Sequence, residues 1–262
     1  MCATCGCGTG EVRVSSARSP DRHEHEHPHV HPEDQPEDQP ALRTHTLDLE
    51  VAVLAKNDAL AQANRRRLAE HEITAVNLMS SPGAGKTTLL ERTIAGLGRP
   101  VSVIEGDQET LFDAERIRRA GARAVQVNTG AGCHLDAAMV ARALDELRPE
   151  DGSIVVVENV GNLVCPALFD LGERRKVVVI SVTEGDDKPL KYPHMFAAAD
   201  LVVVNKTDLL PYVDFDTERL VRDARRVNPR VQVLPLSART GEHLDVWFDW
   251  LRSEAETHPH TP

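Results

Sequence analysis

Between residues 73 and 251 the chain switches repeatedly between two hydrophobic periods. Short, nearly continuous runs of apolar and β-branched residues occur at 73–80 (ITAVNLMS), 101–106 (VSVIEG), 122–128 (ARAVQVN), 153–159 (SIVVVEN), 176–182 (KVVVISV), 200–206 (DLVVVNK) and 231–237 (VQVLPLS). Runs of this length and composition predict strands, and those apolar at every position predict strands of a parallel sheet buried on both faces. Segments 86–97, 110–120, 134–147, 216–227 and 243–254 instead repeat apolar residues at helical spacing. Upstream, 48–71 (DLEVAVLAKNDALAQANRRRLAEH) predicts an amphipathic helix lying on the domain. Strand and helix in alternation imply an α/β fold: a doubly wound, mostly parallel sheet with helices on both faces and right-handed crossovers. Ligands of such sheets sit at the carboxyl ends of the strands.

The first 47 residues break this pattern. They open with MCATCGC, followed by HEHEHPHVH at 23–31 and the repeat PEDQPEDQP. Such a composition buries too little apolar surface to order itself, so 8–46 is expected to be a disordered tether within a Cys/His-rich, metal-binding extension at 1–47. The globular domain is expected at 48–255, with a flexible tail at 256–262. The chain of 262 residues is 41% hydrophobic, enough for one sizeable core, and carries a net charge of −11. That charge argues against nucleic acid or an anionic membrane as a partner. No signal-peptide pattern is visible, and no apolar run approaches the ~18 residues of a membrane span. The expected location is cytoplasmic, where the five cysteines serve as metal ligands or reactive thiols rather than disulfides.

The most specific motif is SSPGAGKTT at 80–88, which follows a strand and opens a helix. It fits the phosphate-loop pattern except that Ser80 replaces the first glycine. Gly83, Ala84, Gly85 and Thr88 shape a loop whose backbone N–H groups can cradle phosphate oxygens. Lys86 can reach the β- and γ-phosphates, and the Thr87 hydroxyl can ligate Mg²⁺. In LVVVNKTDLL, Asn205, Lys206 and Asp208 form N-K-x-D at the end of a strand. A carboxylate at Asp208 accepts from guanine N1–H and the 2-amino group, whereas adenine offers no donor there, which makes GTP the expected nucleotide. The Ser237–Ala238 backbone in LSARTG is placed to donate to guanine O6. Glu158 with Gly161 gives E-x-x-G, where GTPases more usually carry D-x-x-G. Glu158 is expected to hold Mg²⁺ through a water, and the Gly161 amide to sense the γ-phosphate. Asp107 supplies a second carboxylate on the Mg²⁺ side. No residue stands out as an activator of the attacking water, so slow intrinsic hydrolysis is expected.

Cys133 and His134 adjoin at what reads as a helix start, on the ligand-bearing edge of the sheet. Cys165 lies seven residues after Glu158, in the expected nucleotide-sensitive segment. Two thiolates and one imidazole suit Zn²⁺ or Ni²⁺ and leave a coordination position for water or for a second protomer. Metal and GTP binding would then be thermodynamically linked. At the N-terminus, Cys2, Cys5 and Cys7 offer chelating C-x-x-C and C-x-C spacings, which with a nitrogen donor favour Ni²⁺. His23, His25, His27, His29 and His31 can wrap a borderline metal.

Together the phosphate loop, EGDQET, GAGCH, ENVGNLVCP and NKTD resemble the hydrogenase nickel-incorporation GTPases, the HypB family. The resemblance covers residues 48–255; MCATCGC and the His tract are similar to the nickel-binding extensions of some members. It implies a phosphate-loop fold of the SIMIBI type and GTP hydrolysis linked to Ni²⁺ delivery into the large-subunit precursor of [NiFe]-hydrogenase. It also implies GTP-dependent homodimerisation with metal at the interface, and a small nickel metallochaperone of the HypA type as partner. Lys86 and Thr87 would serve phosphate and Mg²⁺, Asp208 would read guanine, and Cys133, His134 and Cys165 would hold the regulatory metal. Two alternatives stay open: a urease-type nickel GTPase, whose motif is typically Cys-Pro-His, and a nickel store with a vestigial GTPase fold.

Overall fold

A computed structural model describes residues 40–107, 112–130 and 132–257, with side chains from residue 52 onward except at Phe112. The chain divides into two units, Met1–Val51 and Ala52–Pro262. The strands are β1 (Thr74–Ser80), β2 (Val101–Asp107), β3 (Arg123–Asn128), β4 (Ile154–Glu158), β5 (Arg175–Ser181), β6 (Leu201–Asn205) and β7 (Gln232–Pro235). The helices are α1 (Pro40–Glu70), α2 (Lys86–Gly96), α3 (Phe112–Arg119), α4 (Ala137–Leu147), α5 (Cys165–Leu168), α6 (Lys188–Lys191), α7 (Pro193–Ala198), α8 (Thr217–Val227) and α9 (Leu244–Glu256). All seven expected strands form one sheet in the order β3-β2-β4-β1-β5-β6-β7, and every pairing is parallel.

Successive residues of these strands enter different cores, as the period of two requires. Val76, Leu78, Val103, Val156, Val177, Val179 and Val203 pack with α2 and α9 in one cluster. On the opposite face, Ile104, Val155 and Val157 pack with α4, while Met79, Val178, Ile180, Val202 and Val204 pack with α7 and α8. Both faces are therefore buried, which is why the sequence shows unbroken apolar runs. Trp247 of α9 is fully buried, and its Nε1–H donates to Thr93 Oγ1 at 2.9 Å, so its one polar group is satisfied.

Helix α1 begins at Pro40 rather than at 48. Proline suits a first helical turn, where its missing N–H is not needed, and Ala41 and Leu42 are good helix formers. Over its described side chains, α1 is fastened by asparagines as well as by apolar packing. Asn57 accepts from Ala137 N–H at 2.9 Å, and Asn64 donates to the carbonyls of Ala137 and Leu171, both at 2.9 Å. Hydrophobic periodicity carries no signal for such contacts. Helices α5, α6 and α7 and a 3-10 turn at Thr207–Tyr212 were also not legible, being too short to show a period. Among the described residues no helix is long and apolar enough to cross a membrane.

Candidate functional site

The ends of β1, β2, β4 and β6 surround a cleft of about 530 Å³ lined by the phosphate loop, Glu105, Asp107, Glu158, Gly161 and Lys206 among others. Gly85 has φ +98, and a Cβ there would sit 2.5 Å from Asn205 Nδ2, so the position needs glycine on two counts. The loop is braced by the N-K-x-D strand end: Asn205 Nδ2 donates to Ala84 O at 2.9 Å and Lys206 Nζ to Gly83 O at 2.8 Å. Lys86 is buried, and its Nζ donates to Ser80 Oγ at 2.6 Å. Burial lowers the Lys86 pKa, against the opposing pull of Glu158.

Thr87 Oγ1 donates to Glu158 Oε1 at 2.8 Å. The other oxygen, Glu158 Oε2, is buried with no hydrogen-bond partner among the described residues, and so is Glu105 Oε2. Burial pushes Glu158 up to about 7, although Lys86 and Thr87 pull the other way. Burial, reinforced by Glu158 and Asp107, pushes Glu105 up to about 8. Carboxyl oxygens left partnerless beside a phosphate loop, Oε2 of Glu158 and of Glu105, are donors suited to a hard divalent cation such as Mg²⁺. Sequence reasoning found Glu158 and Asp107 but missed Glu105, which pairs in register with Glu158 across β2 and β4. Glu105 lies inside an apolar strand run; a lone acid in such a run was the available signal. Arg116 of α3, also missed, pairs with Glu91 at 2.8 Å and reaches Thr88 Oγ1 at 3.4 Å.

A second, smaller cavity of about 340 Å³ lies behind the loop, lined by Gly85, Asn205, Lys206, Asp208 and Ala238 among others. The Ser237 hydroxyl donates to Asp208 Oδ1 at 2.6 Å and orients that carboxylate. The expected backbone donors are engaged within the protein: Ala238 N–H donates to Asn205 Oδ1 at 3.0 Å and Ser237 N–H to Glu242 O at 3.1 Å. Donation by Ala238 to a base would require it to exchange partners.

The loop after β3 and the segment after β4 bring Cys133, His134 and Cys165 together, their ligand atoms all within 4.8 Å of one another. The two Sγ atoms are 2.9 Å apart, Cys133 Sγ is 3.6 Å from His134 Nδ1, and both thiols are free of disulfides. Cys133 and His134 do not start a helix. Asp136 caps α4 by accepting from Met139 N–H at 2.7 Å, so the pair occupies the loop ahead of it. Cys165 is buried at the start of α5. The His134 ring stacks on Phe169 with centroids 3.9 Å apart, and burial lowers its pKa despite the nearby Asp136. A neutral imidazole beside two thiols is a set of borderline-to-soft donors. Cys2, Cys5, Cys7, His23, His25, His27, His29 and His31 lie outside the described residues.

Residues 74–235 match the model of the CobW/HypB/UreG nucleotide-binding domain. The chain is 59% identical to the hydrogenase maturation factor HypB of Rhizobium leguminosarum bv. viciae over 211 residues, covering 80% of this chain and 71% of the relative. It is 45% identical to HypB of Escherichia coli K12 over 287 aligned positions, covering 97% of this chain and 99% of the relative. The crystal structure of Helicobacter pylori HypB in complex with nickel superposes with a TM-score of 0.74 at 36% identity, covering 79% of this chain and 99% of that one. With its parallel sheet, phosphate loop and Cys–His–Cys cluster, the chain belongs to the HypB family of hydrogenase maturation factors, within the CobW/HypB/UreG nucleotide-binding group.

Proposed function

We propose that this protein is a GTP-hydrolysing nickel metallochaperone that binds Ni²⁺ and delivers it to the large-subunit precursor of [NiFe]-hydrogenase. The observation that carries the reading is the Cys133–His134–Cys165 cluster, reached from the Glu158 edge of the phosphate cleft through only seven residues of chain. A nickel-bound relative of the same fold supports nickel as cargo, and Zn²⁺ is a second metal the same donors accept. A small nickel metallochaperone of the HypA type is the proposed donor or acceptor partner.

In this reading the loop amides and Lys86 bind the β- and γ-phosphates and Asp208 selects guanine. Lys86 Nζ spends one of its three N–H donors on Ser80 Oγ and keeps two for phosphate oxygens, and the buried ammonium gains strength from the low local dielectric. Thr87, Glu158 and Asp107 would hold Mg²⁺, which supplies charge neutralisation at the transferred phosphoryl group when bound. Glu105, which lines the same cleft, is a further carboxyl available to the cation. Among the described residues the cluster supplies three protein ligands, so a fourth from a second copy of the chain would complete it. That open position supports a homodimer that shares the metal, and its tightening on GTP binding is part of the same proposal.

Phosphate release by the full chain tests the reading. GTP is expected to be turned over slowly and ATP hardly at all, with Lys86→Ala reducing turnover by ~10²-fold or more. A chain that binds nickel but releases no phosphate from GTP would be a store, contradicting the reading.

A further inference from the structure

Beneath the two sites runs a buried polar seam in an otherwise apolar face of the sheet. On that face the cluster of Ile104, Val155 and Val157 is separate from that of Met79, Val178 and Ile180. At the boundary sit Asn77, Asn159 and Glu173, at most 5% exposed. Asn159 Nδ2 donates to Asn77 Oδ1 at 3.3 Å, Asn77 Nδ2 donates to Glu173 Oε1 at 3.1 Å, and Leu171 N–H donates to Glu173 Oε2 at 2.6 Å. A buried network in which each named amide finds partners is rigid and specifies one arrangement.

Asn159 is the branch point. Its Oδ1 accepts from its own neighbour, Val160 N–H, at 3.0 Å, and from Leu135 N–H at 3.2 Å. One carboxamide oxygen therefore holds two loops. Val160 lies between Glu158 and Gly161 on the phosphate cleft, and Leu135 directly follows Cys133 and His134. Leu135 is also gripped from the other side. It is fully buried, and a Cβ at Gly106 would lie 2.8 Å from its Cγ, between the cleft carboxylates Glu105 and Asp107.

We propose that Asn159 is the positioning residue that couples the nucleotide cleft to the metal loop, acting through the shared hydrogen bonds of its side-chain oxygen to Val160 and Leu135. This rests on the reading of the cleft and the cluster as nucleotide and metal sites. A γ-phosphate that shifts the Glu158–Gly161 segment displaces Val160 N–H. Asn159, tied to Asn77 on its other side, then changes its hold on Leu135, and with it the spacing of Cys133 and His134 from Cys165. Coupling through such a two-sided contact is a free energy shared by both ligands, so it acts equally in each direction.

The test uses the full chain carrying Cys2→Ser, Cys5→Ser and Cys7→Ser, so that Ni²⁺–thiolate charge-transfer absorption reports on Cys133 and Cys165 alone. Ni²⁺ is titrated with GDP and with a non-hydrolysable GTP analogue, in this parent and with Asn159→Ala added. The parent is expected to show a nucleotide-dependent ratio of nickel dissociation constants of at least about five-fold, and Asn159→Ala to bring that ratio within about two-fold of unity. The same ratio in both proteins would overturn the proposal while leaving linked sites standing. A ratio of unity in the parent would overturn the linkage and the proposal together. Should Asn159→Ala fail to fold, hydrogen exchange of the Leu135 amide in the parent decides. Its protection is expected to change on adding the GTP analogue with no metal present, and unchanged protection would overturn the proposal.

Discussion

The phosphate cleft hangs on the ends of β1, β2, β4 and β6, all interior strands of the sheet. Cys133, His134 and Cys165 instead sit on a loop and on one short helix beyond β3 and β4. In the cleft, side chains at the end of β6 brace the phosphate loop directly, as when Lys206 and Asn205 grip its carbonyls. In the cluster, the ligands are held by side chains that are themselves held: Asp136 caps the following helix, Thr129 Oγ1 bonds Gly132 O at 2.9 Å, and Asn159 bonds Leu135. The first arrangement is preorganised and tolerates the burial of charge. The second hangs on side-chain hydrogen bonds within a loop, the kind of segment expected to open at low cost, which suits the metal cargo proposed for it.

If the two regions are built this differently, substitutions should separate them. The largest expected effect is on the cluster. Full chains with Cys2, Cys5 and Cys7 changed to serine and with Cys133→Ala or Cys165→Ala should lose affinity at the nickel–thiolate site by ~100-fold or more, read from Ni²⁺–thiolate charge-transfer absorption so that the His23–His31 tract does not contribute, because a direct ligand outweighs the 10–100-fold of an outer-shell change. Their GTP-analogue affinity, measured without metal, should stay within about three-fold of the parent's. A nickel–thiolate band that saturates at the parent's nickel concentration in either variant would contradict the assignment of the metal to the cluster. Next comes the base cavity. Asp208→Asn replaces an acceptor pair by one acceptor and one donor facing two guanine donors, so GTP binding should weaken by ~10²-fold while Mg²⁺-dependent binding of inorganic triphosphate is retained. Equal losses for both ligands would show that Asp208 supports the loop rather than reads the base.

The smallest expected effect concerns the buried acids. Glu105 rises from an ordinary value of 4.5 to about 8, and Glu158 to about 7, so in the folded chain these two carboxyls hold more protons than in the unfolded chain across this interval. Their contribution to the stability of the protein without nucleotide or metal should therefore fall as pH rises through the interval. Glu105→Gln removes the charge that must be buried. Its melting temperature should match the parent's near about pH 5 and exceed it by a few degrees near about pH 8.5. A difference independent of pH would mean that Glu105 acts through packing, and the cleft would lose its account as a site poised for a cation.

The same contrast explains what could be read from the chain alone. The central strands were legible because burial on both faces leaves an unbroken β-branched run, as at Val155, Val156 and Val157, whereas the half-exposed edge strands β3 and β7 were legible from their shorter apolar runs. The phosphate loop and N-K-x-D were legible because each is contiguous and its chemistry fixes its spacing. Cys133, His134 and Cys165 could be paired only by noticing that two segments leave the same sheet edge. The struts that hold them were invisible. Asn57, Asn64, Asn77 and Asn159 read as ordinary polar residues, and apart from the Asn159–Val160 contact their partners lie 24 to 113 positions away. Glu105 was hidden for the opposite reason: an acid within a strand run looks like an exposed interruption, whereas it is 2% exposed.

The central claim is that the phosphate cleft and the Cys133–His134–Cys165 cluster are energetically linked. The most direct measurement is the affinity for a non-hydrolysable GTP analogue, with and without saturating Ni²⁺, in the full chain whose N-terminal cysteines are changed to serine. Linkage requires nickel to change the analogue's affinity by the same factor by which the analogue changes nickel's, relative to nucleotide-free protein. The account predicts a factor of at least about five that disappears when Cys165→Ala is added. An analogue affinity indifferent to nickel, in a protein shown to bind nickel at Cys133 and Cys165, would contradict it.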